Sequence, residues 1–476
     1  MYRKLVGLTF LLLAGEVILK AQQNSTLFFM RSTPQANFVN PAVRNECKWM
    51  LGLPVISSLH LQVGNSAFSV MQVLKKQPDN TYAFDGSEVM SNLGQTNYLN
   101  AELHVNLFFL SLWRNDIFYT FSVNEKADLF LTYPHDLVAI AWQGNTQFEG
   151  QHSDLSRLGM FFNYRREYAF GMAKQPSNNF IWGMRAKLLF GKLNTSVPRS
   201  KIDLFTAPAT FDLYFNDNIR LNSSLPINVQ RNPNNTISNV SFNGNVGNIL
   251  MNRNNIGLAF DLGFINYRSD RVTVSGSILD LGLIRWTTNG YSFNQDGQYV
   301  YHGPIGDTIQ ESTYLKYLTR VLKDEFGITA TSRSYFSFLI PTYYLGTTYK
   351  LRDDLDAGAL VSGKISRFRV TSGLTFSVNK DFNRKAAVSL SWSYLYRSLN
   401  NFGAGIKLGQ SPIQFYAVTD NVFGLIKPLD TKNINIRFGL QLNFGCSKTE
   451  KKISGCGCSW LQSEEEKRER ERKRKK

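Results

Sequence analysis

At 476 residues, with no Pro/Ser-rich linker to divide it, the chain reads as one large domain, although its length would serve two or three ordinary ones. Aromatic side chains make up 13% (35 Phe, 21 Tyr), Gly is plentiful at 35 and only 19% of residues are charged, a mixture suited to strands that face lipid. The formal net charge of +17 is partly terminal, at Lys467–Lys476, and otherwise scattered, so no nucleic-acid partner is expected from it; after residue 21 no run of about 18 apolar residues exists, which excludes an α-helical membrane protein.

Arg3 and Lys4 precede an apolar stretch from Leu5 to Ala14, and Leu19-Lys20-Ala21 leads into Gln22-Gln23, so residues 1–21 read as a secretory signal peptide. Beyond it the strongest pattern is strict alternation. Leu99, Ala101, Leu103, Val105, Leu107 and Phe109 alternate with Asn100, Glu102, His104 and Asn106. Leu158, Met160, Phe162, Tyr164, Tyr168, Phe170 and Met172 share one parity, as do Phe180 to Phe190 in steps of two, and Ile256, Leu258, Phe260, Leu262 and Phe264. Segments 355–365, 370–378, 386–396 and 402–408 repeat it. In the last segment, Ile434, Ile436, Phe438, Leu440, Leu442 and Phe444 alternate with Asn435, Arg437, Gly439, Gln441 and Asn443. Soluble strands average about 5 or 6 residues, whereas these commonly reach about 9 or more, the length of a tilted membrane-crossing strand. Their second face carries Glu102, Arg185, Lys187, Lys364 and Arg437, which suits a wet lumen.

The expected fold is therefore all-β, a single antiparallel transmembrane barrel of about 14 (14–16) strands, the number being even so that both ends lie in the periplasm. The uncertain strands are Ser66–Leu74 and Ile202–Phe215, where Pro208 interrupts the ladder. Tight turns at Arg268-Ser269-Asp270 and Arg352-Asp353-Asp354 fall on the periplasmic side, and long connections, Asn216–Asn255 and Arg285–Ile340, fall outside. The second has helical spacing at Tyr314, Leu318, Val321, Leu322 and Glu325, and a short helix is expected after Pro134. The layout is a signal peptide (1–21), an N-terminal segment (22–46), the barrel (47–446) and a charged periplasmic tail (447–476), in the bacterial outer membrane with its lipid as partner. The tail, Glu-rich and then Lys/Arg-rich, suits contact with anionic lipid or another envelope component.

No catalytic, cofactor or metal residue is named. The five histidines, His60, His104, His135, His152 and His302, show no metal-ligand spacing with a neighbouring His, Asp or Glu, and Asp154 and Ser156 near His152 do not make a triad by sequence proximity. There is no phosphate loop and no nucleophile elbow. The cysteines lie in an oxidising compartment. Cys47 stands before the first strand and Cys446 after the last, and in a closed barrel those strands are neighbours, so a Cys47–Cys446 seam disulfide is the hypothesis, with Cys456 and Cys458 a separate pair. Four cysteines allow three connectivities, and unpaired or lipid-modified cysteines stay open.

Several motifs in order resemble a known family. Met30-Arg31-Ser32-Thr33-Pro34-Gln35-Ala36-Asn37-Phe38-Val39-Asn40-Pro41-Ala42, followed by Leu51-Gly52-Leu53-Pro54, is similar to the start of Bacteroidota outer-membrane barrels known only as a domain of unknown function. Tyr133-Pro134-His135-Asp136-Leu137, Gly144-Asn145, Phe260-Asp261-Leu262-Gly263 and Leu279-Asp280-Leu281-Gly282 with Trp286 extend the likeness over residues 24–445. Asn40-Pro41-Ala42 is also similar to the FadL-type fatty-acid transporters and their relatives in the type IX secretion system, in which the N-terminal segment plugs the barrel; an ordinary Asn-Pro turn is the other reading. The resemblance implies that residues 22–46 form a plug containing Asn40, Pro41 and Ala42. The function then expected is a passive, non-enzymatic channel or transporter for small molecules, hydrophobic ones among them. A structural or accessory barrel in secretion or surface assembly, with an envelope protein partner, is the alternative that the long outer loops and charged tail motivate.

Overall fold

The computed structural model describes residues 24–233, 236–302, 327–366, 370–382 and 385–446. Among them, fourteen antiparallel strands close into one ring. In chain order these are β1 (Cys47–Gly52 continued by Leu59–Asn65), β2 (Thr96–Arg114), β3 (Ile117–Pro134), β4 (Gly159–Ser177), β5 (Phe180–Thr206), β6 (Asn255–Tyr267), β7 (Val272–Trp286), β8 (Thr342–Arg352), β9 (Leu355–Ile365), β10 (Val370–Phe382), β11 (Ala386–Leu395), β12 (Ser398–Leu408), β13 (Ile413–Thr419) and β14 (Asn433–Cys446). Both pieces of β1 pair with β14 on one side and β2 on the other, which closes the ring. Closure leaves no ladder edge bare, the condition for a sheet to sit in hydrocarbon.

Burial along the strands is inverted relative to a soluble sheet. On β6, Ile256, Leu258, Phe260 and Leu262 are 47–57% exposed, while Gly257, Ala259 and Asp261 are buried. On β14 the buried parity is Asn433, Asn435, Arg437, Gln441 and Asn443. Such a chain places greasy side chains outside and polar ones within, and only a barrel whose outer surface meets lipid gains from that arrangement. One parity expectation is corrected: β2 slips register between Asn106 and Phe108, and this bulge turns Phe109 inward, where it packs against Cys47 and Met50.

The two ends of the ring differ. At the Cys47/Cys446 end the connections are tight; Asn115 and Asp116, both at positive φ, form the two-residue hairpin turn that matches strand twist. The 268–271 and 353–354 turns lie at the same end. Cys47 and Cys446 are in register on β1 and β14 and are disulfide-bonded.

The opposite end carries the long connections, and it corrects several expectations. Ser66–Leu74 is not a barrel strand: Ser69 and Gln72 form a capping box on the short helix Val70–Val73, and Leu74–Lys76 pairs with Tyr82–Phe84. β5 runs on to Thr206, Pro208 sits in the turn after it, and Leu213–Ser224 folds back along β5. That strand pairs in turn with Gly290–Tyr301, so the two outer connections are partly a sheet that extends the wall. A helix, His135–Gln143, does follow Pro134. The helical spacing at Tyr314–Glu325, the signal stretch, Cys456, Cys458 and the charged tail lie outside the described residues.

Candidate functional site

The site is the interior of the ring. Residues 24–46 make contacts with strands around its circumference. Phe28 stacks on Tyr344 of β8, and Leu27, Phe29, Met30, Val39 and Ala42 share one buried cluster with Ile181, Ile265, Leu279, Leu360 and Tyr416.

Polar bonds fix the segment at intervals. The first turn of the helix Ser25–Phe29 is held by Asp420, whose carboxylate accepts the Asn24 amide (2.5 Å), the Thr26 amide (2.8 Å) and the Thr26 hydroxyl (2.6 Å). A carboxylate there offsets the exposed amides of a helix start. Arg437 Nε donates to Asn24 Oδ1 (3.0 Å), Arg185 Nη2 donates to the Asn37 carbonyl (2.7 Å) and Ser277 donates to the Val39 carbonyl (2.6 Å). Asn40, Pro41 and Ala42 make a turn in which Asn40 Oδ1 accepts the Ala42 amide (2.9 Å), and the turn presses on two glycines. A Cβ at Gly183 would lie 2.3 Å from the Pro41 carbonyl oxygen, and one at Gly263 would lie 2.2 Å from Asn40 Oδ1.

Above this segment a belt of ionised side chains crosses the lumen. It comprises Glu102, Asp128, Glu167, Asp261 and Asp280 with Lys126, Arg165, Arg185, Lys187 and Lys364, five of each sign. Arg165 contacts Asp128 (2.5 Å) and Glu167 (2.9 Å), Lys187 contacts Asp261 (2.7 Å) and Asp280 (2.5 Å), and Lys126 contacts Glu167 (3.0 Å). The two Asp-Leu-Gly motifs supply the central acids. A bulge between β6 and β7 opposes Asp261 with two residues of β7 and swings Asp280 inward at positive φ. Paired, these groups tolerate burial; any one left alone would not.

A cavity of about 100 Å³ reaches both the segment and the belt, and its lining mixes polar Asn106, Asn124, Lys126 and Lys364 with apolar Phe38, Phe130, Phe161, Leu339 and Ile340. The polar faces point inward, and Arg185 and Lys187 among them are 5% and 3% exposed and paired.

Of the histidines, His135, His152 and His302 pair with Asp136, Asp203 and Asp212 at the outer end. His152 thus takes Asp203 as partner, while Asp154 accepts the Ser156 amide (2.9 Å), so those sequence neighbours make no triad. His60 and His104 are brought together with Glu102, which corrects the expectation that no histidine stands at ligand spacing. Glu102-x-His104 on a strand was the readable signal, since residues two apart share a face. The cross-lumen ion pairs carried no such signal.

Residues 41–420 match the family of unknown function DUF5723. No curated protein matches the chain in sequence. Solved structures with a similar fold include a Pseudomonas aeruginosa FadL homologue, 11% identical over 90% of this chain and 97% of that one with a TM-score of 0.38. The Pseudomonas putida toluene transporter TodX is 10% identical over 90% and 100% with a TM-score of 0.31, and the Ralstonia pickettii toluene transporter TbuX 10% over 87% and 94% with a TM-score of 0.32. Likeness at this level does not bear on function.

Proposed function

We propose, for a chain that belongs to the family of unknown function DUF5723, a non-enzymatic transport barrel of the bacterial outer membrane that rests closed and opens to pass small molecules. The observation that carries the reading is the inverted burial of a closed ring, polar within and apolar without, around an interior that keeps a pocket. Residues 24–46 act as the plug, with Asn40-Pro41-Ala42 as its lower turn against the glycines. The pocket's Phe130, Phe161, Leu339 and Ile340 wall supports cargo with an apolar body. The accessory-barrel alternative loses its main motive, because the outer connections build wall through paired strands.

Planar-bilayer recording tests this. Deleting residues 24–42 should raise single-channel conductance, and a fluorescent apolar tracer should enter proteoliposomes of the deletion faster than those of the intact chain. Unchanged conductance would overturn the plug, and tracer excluded from both would overturn the apolar cargo.

A further inference from the structure

We infer that His60, Glu102 and His104 bind one divalent transition-metal ion of the Zn²⁺ type, set into the lumen wall beside the charged belt. Glu102 and His104 are two apart on β2 and so share its inner face. His60 of β1 is paired directly opposite His104, with Gln62 opposite Glu102, and cross-strand neighbours of this kind touch. His60 is fully buried and Glu102 is 7% exposed. One donor atom from each of the three lies within 4.8 Å of the other two. Glu102 Oε2 is 3.7 Å from His60 Nε2 and 3.8 Å from His104 Nε2. Ligands at about 2.0–2.2 Å from a tetrahedral Zn²⁺ stand roughly 3.3–3.5 Å apart, so small side-chain rotations converge this set on one ion.

A second observation is independent of that geometry. Both ring nitrogens of His60 are buried with no hydrogen-bond partner among the described residues, a costly state for a polar group that coordination relieves. The Glu102 carboxylate already faces two ways, with Oε1 on Lys364 and Oε2 toward the two imidazoles. Asp128 Oδ1 lies 2.7 Å from His104 Nε2, a hydrogen bond that this nitrogen exchanges for the ion when its lone pair turns to it. Two imidazoles and a carboxylate favour Zn²⁺, Ni²⁺ or Cu²⁺ over Mg²⁺ or Ca²⁺. Lys364 on Glu102 and Arg165 on Asp128 oppose the incoming charge and keep the affinity moderate.

The test uses the whole folded chain in detergent, stripped with chelator and dialysed against ZnCl₂ with metal counted. One equivalent should bind, weakened at least about 10-fold in His60→Ala and in His104→Gln, and unaffected by His152→Ala on the outer loops. Co²⁺ in place of Zn²⁺ should give ligand-field absorption that the same two variants lose, and heat-modifiable gel migration identifies which variants are folded. Zn²⁺ binding that survives in both folded variants, including binding at Cys456 and Cys458, overturns the assignment, as does a folded wild-type chain that takes up none.

Discussion

Lys364 and Glu102 are in contact although their strands, β9 and β2, stand seven places apart in a ring of fourteen. They join opposite walls, and the side chains that reach across the bore do so as ions. Lys126 of β3 and Arg165 of β4 approach Asp280 of β7, four and three places away, at 3.7 and 3.8 Å. An ion-pair bridge differs from an apolar plug because water entering the bore can solvate both halves and let them part.

Breaking that bridge from one side leaves a buried charge alone. Lys364→Met should destabilise the folded barrel by about 3–5 kcal/mol and raise conductance, as judged by the urea midpoint of refolding into vesicles and by bilayer recording. Lys364→Met with Glu102→Gln should recover most of the stability while keeping the higher conductance. A double variant as unstable as the single would show that Glu102 does not depend on Lys364 for its compensation.

Gly183 faces the lumen where a Cβ would lie 2.3 Å from the Pro41 carbonyl oxygen, a backbone atom that cannot swing aside. Gly183→Val should therefore lift the Asn40–Ala42 turn from the wall at a cost of about 1–3 kcal/mol. Protease added to the Cys47/Cys446 side of reconstituted vesicles should then cut within residues 24–46 faster than in the wild type; equal cleavage would mean the turn does not bear on Gly183.

Period two made the barrel legible, since each strand must present one face to lipid and one to the interior. It failed where a bulge resets the parity, as at Asn106 for Phe109, because an extra residue leaves no compositional mark. The seam cysteines were readable from their places beside the first and last strands. The belt was not: Lys364 and Glu102 lie 262 positions apart, and which inward charges meet depends on ring order and shear. Ser66–Leu74 misled because its apolar residues belong to a small helix with its own capping box.

The Cys47–Cys446 bond joins positions 399 apart, so it constrains nearly the whole unfolded chain. Cys47→Ser with Cys446→Ser should lose about 2–5 kcal/mol of stability, read as a lower urea midpoint, and reductant should produce the same loss in the wild type and none in the variant. Non-reducing peptide mapping that recovers both residues as free thiols would remove the bond and this prediction with it.

The outer surface is the remaining test, because it carries the membrane reading. Leu262 is 48% exposed on β6, on the parity opposite Asp261, with Phe260 its neighbour on that outer face. In lipid near the bilayer midplane a lysine there must keep its charge out of hydrocarbon, so Leu262→Lys should cost about 2–4 kcal/mol in vesicles. In water the same change would remove an exposed apolar group at little cost. Val246→Lys is the matched control: it lies on the outer helix Val246–Met251, 70% exposed, where the change should stay within about 0.5 kcal/mol. Equal, small effects at both positions, from urea titrations in the same vesicles, would mean that β6 does not face lipid, and the inverted burial would then need another explanation.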